Sequence, residues 1–224
     1  MTPLPEAGRF VTFEGGEGAG KSTQIALLQR ELAARGVPAV TTREPGGTQK
    51  AERLRGILLA GRFAHLGPLA EAALFSAARI DHVDGLIRPA LLRGDWVLCD
   101  RFADSTRAYQ GARGGVDARR LDLLERAATV GLMPDLTFIL DIAPETGLAR
   151  VAQRSGADAS VDRFESEHIS FHRALRQAFL DIAAANPGRC CVIDADRAPE
   201  AVARDIREIV HARLLDRSGR MAAQ

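Results

Sequence analysis

The sequence predicts an α/β fold, a five-stranded parallel sheet flanked by helices, and three observations carry that prediction. Short apolar runs rich in β-branched residues recur at Phe10–Glu14, Ala39–Arg43, Trp96–Asp100, Leu136–Asp141 and Cys190–Asp194. Longer segments with helical spacing of apolar residues separate them. The first run breaks into a glycine-dense turn that leads directly into one of those helical segments.

The runs are continuous rather than alternating, which is the pattern of strands covered on both faces. After the first, "STQIALLQRELAARG" places Ile25, Leu28 and Leu32 on one face. It stops at Gly36, because glycine readily takes the left-handed conformation that ends a helix. "AEAALFSAARIDHVDGLIRPALLRG" and "ARRLDLLERAATVG" read as helical before and after the third strand. "PETGLARVAQRSG" and "HISFHRALRQAFLDIAAANPG" follow the fourth, and "APEAVARDIREIVHARLL" closes the fold. Strands that alternate with helices form a parallel sheet through right-handed crossovers. One domain is expected over 1–224, with its core from 9 to 214 and frayed ends at 1–8 and 216–224. The small, polar Ser155–Asp162, "SGADASVD", marks a mobile lid spanning residues 150–165.

At 224 residues, 46% of them hydrophobic, the chain is long enough to bury a sizeable core. Its formal net charge of +1 argues against a nucleic-acid partner, which calls for a strong basic excess. Cys99, Cys190 and Cys191 lie in apolar runs, two of them adjacent, so reduced buried thiols are expected rather than disulfides or a zinc cluster. "MTPLPEAG" lacks the features of a signal peptide, and no apolar stretch approaches the roughly 18 residues that span a bilayer. A soluble, cytoplasmic protein with no membrane partner follows as the expectation. Lys21 and Lys50 are the only lysines, so Lys21 is a position where arginine does not stand in.

Gly15, Gly20, Lys21 and Ser22 satisfy G-x-x-x-x-G-K-[ST] after a strand and before a helix. This marks a P-loop NTPase-type fold. Its glycines turn backbone N–H groups inward, and the helix N-terminus adds partial positive charge. The stretch Gly15, Gly16, Glu17, Gly18, Ala19, Gly20, Lys21, Ser22 and Thr23 is thus expected to hold the phosphates of ATP. Lys21 would sit between the β- and γ-phosphates, and the Ser22 hydroxyl would coordinate Mg²⁺. A nearby carboxylate is required, and two strands end in one, Asp100 and Asp141. Asp100 is favoured because the third strand normally lies beside the first. Its role stays open between a direct metal bond, a water-mediated one, and a hold on Lys21 or Arg101.

A GTPase reads guanine with Asn-Lys-x-Asp, which the sole asparagine, Asn186 in "NPGR", cannot supply. A motor needs more length. A small-molecule phosphotransferase remains, in which catalysis is charge stabilisation and alignment of two substrates. Four further segments, "TREPGGT", "FSAAR", "DRFADSTRAYQG" and "DRFE", together with "FEGGEGAGKST", resemble the thymidylate kinase family in its bacterial branch, in order and at suitable spacing from Arg9 to Leu214.

That resemblance implies an ATP:dTMP phosphotransferase, homodimeric in most of its family. It implies that Phe75 stacks on thymine and that Arg79, four residues on along one helix face, donates to a base carbonyl. From the residue alone, Phe75 reads as ordinary core. Arg101 would bridge the acceptor phosphate and the transferred group. Tyr109, the only tyrosine, would pack beside the sugar C2′ and exclude a ribose. Glu17 would meet the acceptor's 3′-hydroxyl, Thr106 and Gln110 would contact the base or its surroundings, and Arg43 and Pro45 would shape the phosphate side. Asp162 and Phe164 match acidic and aromatic positions near the acceptor, the latter often a tyrosine in the family. Gly16, Glu17, Gly18 and Ala19 include no basic residue, which implies the branch whose lid supplies the catalytic arginine. Arg150, Arg154 and Arg163 are the candidates, and Arg154, at the lid's entrance, is the choice. Arg107 reads as a surface charge. His168 and His172 are four apart but have no third zinc ligand. The competing readings are a kinase for another monophosphate such as UMP, and a non-catalytic nucleotide binder.

Overall fold

The computed structural model describes residues 8–112, 115–154, 164 and 166–215. Strands β1 (Phe10–Glu14), β2 (Ala39–Arg43), β3 (Trp96–Asp100), β4 (Leu136–Asp141) and β5 (Cys190–Asp194) pair in parallel in the order β2-β3-β1-β4-β5. Their limits coincide with the apolar runs of the sequence. β1 is central, and its C-terminal end opens between those of β3 and β4, the edge at which open parallel sheets bind ligands. Phe13 pairs with Asp100 on β3, and Glu14 with Ile139 on β4. The three middle strands are buried on both faces, as expected. The outer strands β2 and β5 are partly exposed, because each has a neighbour on one side only.

Helix α1 (Lys21–Ala34) buries Ile25, Leu28 and Leu32, as its periodicity requires. It ends where Gly36 takes φ 73°, with the Val37 N–H donating to the Leu32 carbonyl at 2.9 Å. After α2 (Gln49–Leu59), α3 (Pro68–His82) continues through a π-helical turn, Val83–Ile87, into α4 (Arg88–Leu92). Then come α5 (Ala103–Ala112), α6 (Ala118–Thr129), α7 (Pro144–Arg154), α8 (Ile169–Ala185) and α9 (Pro199–Val210). One core layer packs Ile25, Leu28 and Leu32 with Val202, Ile206 and Val210 against Phe13, Leu98 and Phe138. On the opposite face Phe10, Val97 and Phe102 meet Val83, Ile87 and Ala90.

Two helices are not announced by apolar periodicity. In α2 only Ala51 and Leu58 are buried, and Thr48 starts it by accepting from the Ala51 N–H at 3.2 Å. In α5 the buried face includes Asp104, Thr106 and Gln110, which are polar. Arg189, before β5, anchors α5 by two hydrogen bonds to Asp104, at 2.6 and 2.8 Å, and bonds Thr137 of β4 at 3.0 Å. Arg107 is not a free surface charge: it donates to Asp122 at 2.8 Å and pairs with the buried Glu125. Cys99 and Cys190 are buried free thiols, while Cys191 on the outer strand is half-buried. Among the described residues no helix is long and apolar enough to cross a membrane.

Phe138 is fully buried on β4, 5.4 Å from the Phe13 ring centroid. Phe138→Ala should destabilise the fold by about 3–5 kcal/mol, read as a lowered urea-unfolding midpoint at unchanged m-value.

Candidate active site

The turn between β1 and α1 wraps the N-terminus of the helix. Gly18 takes φ 67°, and a Cβ there would lie 2.0 Å from the carbonyl oxygen of Gly147 in α7. A Cβ on Gly147 would in turn meet the Glu17 carbonyl oxygen at 2.3 Å. The loop and α7 therefore touch backbone to backbone, which only glycine permits. The sequence signal for Gly147 is its place inside a helical pattern, where glycine is costly unless packing demands it. Lys21 is 8% exposed, and its ammonium donates to the carbonyls of Gly15 (3.2 Å) and Gly16 (2.9 Å). Burial and then the nearby Arg101 charge lower its pKa, against Asp100, Glu17 and Glu14. Gly18, Ala19, Gly20, Lys21, Ser22 and Thr23 line the main cleft, of about 270 Å³, whereas Gly15 and Gly16 lie behind it.

Arg101 follows β3 in a left-handed conformation, φ 68°, unfavourable for any residue with a Cβ. Its surroundings hold it there. Its N–H donates to the Phe13 carbonyl (2.9 Å), and the next N–H, of Phe102, donates to Glu14 Oε1 (2.7 Å). The Ser105 hydroxyl donates to Glu14 Oε2 at 2.6 Å. The Arg101 guanidinium spans the Gly15 carbonyl (3.0 Å), Ser105 Oγ (3.2 Å) and Glu17 Oε1 (2.7 Å). Tyr109 donates to the same Glu17 oxygen at 2.5 Å, with its ring 5.0 Å from the Arg101 guanidinium carbon. Burial would raise Glu17, but Arg101, Lys21 and the Tyr109 hydroxyl prevail and lower its pKa to about 2. Glu14 goes the other way. Full burial, then the charge of Asp104, push it up to about 8, despite the hydrogen bonds it accepts and the nearby Arg101.

At the far end of the cleft Arg79 is 3% exposed. It donates through Nε to Glu44 (2.7 Å) and through Nη2 to Thr106 (2.9 Å). Phe75, one helical turn earlier, lines the same cleft and is half-buried, packed against the cluster of Tyr109, Phe164 and Phe179. Gln110 lines the cleft while both its amide oxygen and nitrogen are buried without a partner among the described residues. Tyr109 stacks edge-on against Phe164, centroids 5.1 Å apart. Pro45 and Arg43 line the opening, and Arg43 bonds Glu52 at 3.2 Å. Asp162 and Arg163 lie outside the described residues, as does the side chain of Arg154, whose backbone closes α7. Arg150 is held by the Ala195 carbonyl and by Asp196, both at 3.1 Å. His168 begins α8 as its cap, and His172 is buried one turn on. Sequence reading passes over Glu14, Glu44, Arg55, Ser105 and Gly147. Arg55 donates to the Pro45 carbonyl at 2.9 Å and lines the cleft.

Ser22 Oγ donates to Asp100 Oδ2 at 2.8 Å. This hydroxyl and carboxylate form an all-oxygen pair of the kind Mg²⁺ takes when phosphates complete its shell. Asp141, the other strand-ending carboxylate, is instead clamped by Arg176 at 2.7 and 2.8 Å.

A phosphate loop that shares one cleft with Phe75, Arg79, Thr106 and Gln110 is the arrangement of a P-loop nucleoside monophosphate kinase. The Thymidylate kinase family model matches residues 13–206. Thymidylate kinase of Rhodopseudomonas palustris (strain TIE-1) is 56% identical over 210 residues, covering 93% of this chain and 91% of that protein. That of Bradyrhizobium sp. (strain ORS 278) is 54% identical, covering 94% and 92%. The crystal structure of thymidylate kinase from Ehrlichia chaffeensis superposes with a TM-score of 0.73 at 34% identity, covering 91% of this chain and 99% of that one. The chain belongs to the thymidylate kinase family.

Glu14 retains its proton in the folded state up to about pH 8, against 4.5 for the ordinary group. Folded protein binds the extra proton between those values, so Glu14 costs stability as pH rises through that window. Glu14→Gln should flatten the fall in unfolding free energy between about pH 5 and about pH 8, compared by urea unfolding of both proteins.

Proposed function

We propose that this chain transfers the γ-phosphoryl group of ATP to dTMP, giving dTDP and ADP for the synthesis of DNA precursors. The observation that carries this reading is the amide of Gln110, buried without a partner among the described residues, in the cleft that Arg79 shares with the phosphate loop. A buried amide without partners is costly, and a ligand that bonds it removes the cost. Arg79 can only donate, and its bond to Glu44 fixes the guanidinium. It therefore suits the 4-carbonyl of thymine and opposes the 4-amino group of cytosine. Phe75 supplies a face for the ring. Tyr109, wedged between Phe164 and Phe171 with its hydroxyl on Glu17, forms a rigid wall against a 2′-hydroxyl.

An acceptor phosphate oxygen, ionised at neutral pH, attacks the γ-phosphorus. The new oxygen–phosphorus bond forms as the bond to the β-phosphate oxygen breaks, so ADP leaves with the electron pair. No strong base is required. Arg101 lies between the two substrates, and Lys21 would swing from the Gly15 and Gly16 carbonyls to the donor phosphates. Mg²⁺, held by Ser22 with Asp100 directly or through water, would offset charge on those phosphates. Arg154 is assigned the lid arginine, since Arg150 already serves Ala195 and Asp196. A single domain would carry both substrates, with residues 150–165 as its lid. The protein would work in the cytoplasm as a homodimer, to which exposed Leu69 and Ile80 on α3 offer apolar surface.

A coupled ADP-release assay with dTMP, UMP, CMP and dGMP tests the reading, with dTMP expected to turn over most efficiently. Faster turnover of UMP would point to a different monophosphate kinase, and ATP binding without dTMP-dependent ADP release to a silent binder. Arg154→Ala should lower kcat roughly a hundredfold with dTMP affinity near normal, measured by initial rates and by titration.

A further inference from the structure

Behind the base end of the cleft runs a buried chain of polar side chains that the transfer of phosphate does not itself use. Thr42 Oγ1 lies 2.7 Å from His82 Nε2, and His82 Nδ1 lies 3.0 Å from Glu44 Oε1. Glu44 Oε2 accepts from Arg79 Nε at 2.7 Å, and Arg79 Nη2 donates to Thr106 at 2.9 Å. His82 is 0% exposed, Arg79 3% and Glu44 6%. Gly47 makes room for the junction, since a Cβ there would lie 2.4 Å from His82 Nε2 and 2.5 Å from Thr42 Oγ1. The chain joins β2 and the loop after it to the last turn of α3 and to α5.

We propose that His82 and Glu44 are positioning residues for base selection: His82 orients the Glu44 carboxylate, and Glu44 in turn fixes the plane and direction of the Arg79 guanidinium toward the pyrimidine. The inference rests on the reading of Arg79 given above. In either charge state of His82, its Nδ1–H donates to Glu44 while the Thr42 hydroxyl secures the opposite nitrogen. Two carboxylate oxygens are thereby assigned to two different donors, which leaves Glu44 one orientation. Arg79 is held by Nε and Nη2, and Nη1 is the terminal nitrogen with no protein acceptor among the described residues. If Glu44 lost the hydrogen bond from His82, its carboxylate could rotate and carry Arg79 with it. The donor would then sit less squarely on a 4-carbonyl, and a misplaced donor discriminates less sharply.

The test exploits the different shapes of two amides. Asn at position 82 places a donor near the original Nδ1 and so keeps the bond to Glu44, whereas Gln places one near Nε2 and keeps only the bond to Thr42. The ratio of kcat/KM for dTMP to that for dCMP is measured for wild type, His82→Asn, His82→Gln, Glu44→Gln and Arg79→Ala, together with KM for ATP. This ratio is independent of the folded fraction. We expect His82→Gln and Glu44→Gln to lower it roughly tenfold, with KM for ATP within twofold and His82→Asn close to wild type. Equal ratios in His82→Asn and His82→Gln, with Arg79→Ala much lower, would overturn the positioning role while leaving Arg79 as the base reader. A ratio unchanged in Arg79→Ala would remove that reading, and this inference with it. Should His82→Gln not fold, Glu44→Gln alone decides, since an unchanged ratio there also overturns the proposal.

Discussion

A guanidinium buried beside the phosphate loop organises this protein. Arg101 bonds the phosphate loop twice, through the Gly15 carbonyl and the Glu17 carboxylate. Burial of a charge on this scale is tolerated only with a partner in good geometry. That partner comes from within the phosphate loop itself, which explains a carboxylate where phosphates must bind. Because Arg101 sits in a left-handed conformation, the chain turns sharply out of β3 and into α5. The side chains of α5 then lie along the cleft.

Arginine–carboxylate pairs recur at both ends of the cleft. Arg101 pairs with Glu17 beside the phosphate loop, and Arg79 pairs with Glu44 at the other end. In each, the carboxylate also accepts a second donor, Tyr109 in one and His82 in the other. A doubly held carboxylate cannot follow its arginine, so the arginine donors stay pre-aimed and little reorganisation remains to be done on binding. The buried Glu14 differs. It bonds the Phe102 amide and the Ser105 hydroxyl, and its work is on the backbone that presents Arg101.

Continuous apolar runs located all the strands, because central strands of a parallel sheet have no solvent face to encode. α1 was legible for the opposite reason, its one-sided burial. α2 and α5 were not, since one buries little and the other turns polar residues inward, Asp104 toward Arg189 and Thr106 and Gln110 toward the cleft. At the site, the motifs marked Lys21, Phe75, Arg79 and Arg101, and these residues line one cleft. The residues that aim them were harder to read. Glu44 lies 35 positions from Arg79 and 38 from His82, and no spacing rule links partners brought together by tertiary packing. Gly147 left a trace, a glycine inside a helix, but its partner Gly18 becomes visible only in three dimensions.

The contact between Gly18 and Gly147 has a mechanical consequence. Side chains between two elements act as cushions: they change rotamer and absorb a displacement before passing it on. Here the two backbones meet bare, so the joint has almost no compliance. A displacement of the phosphate loop therefore passes directly to α7, whose backbone runs on from that contact at Gly147 to Arg154.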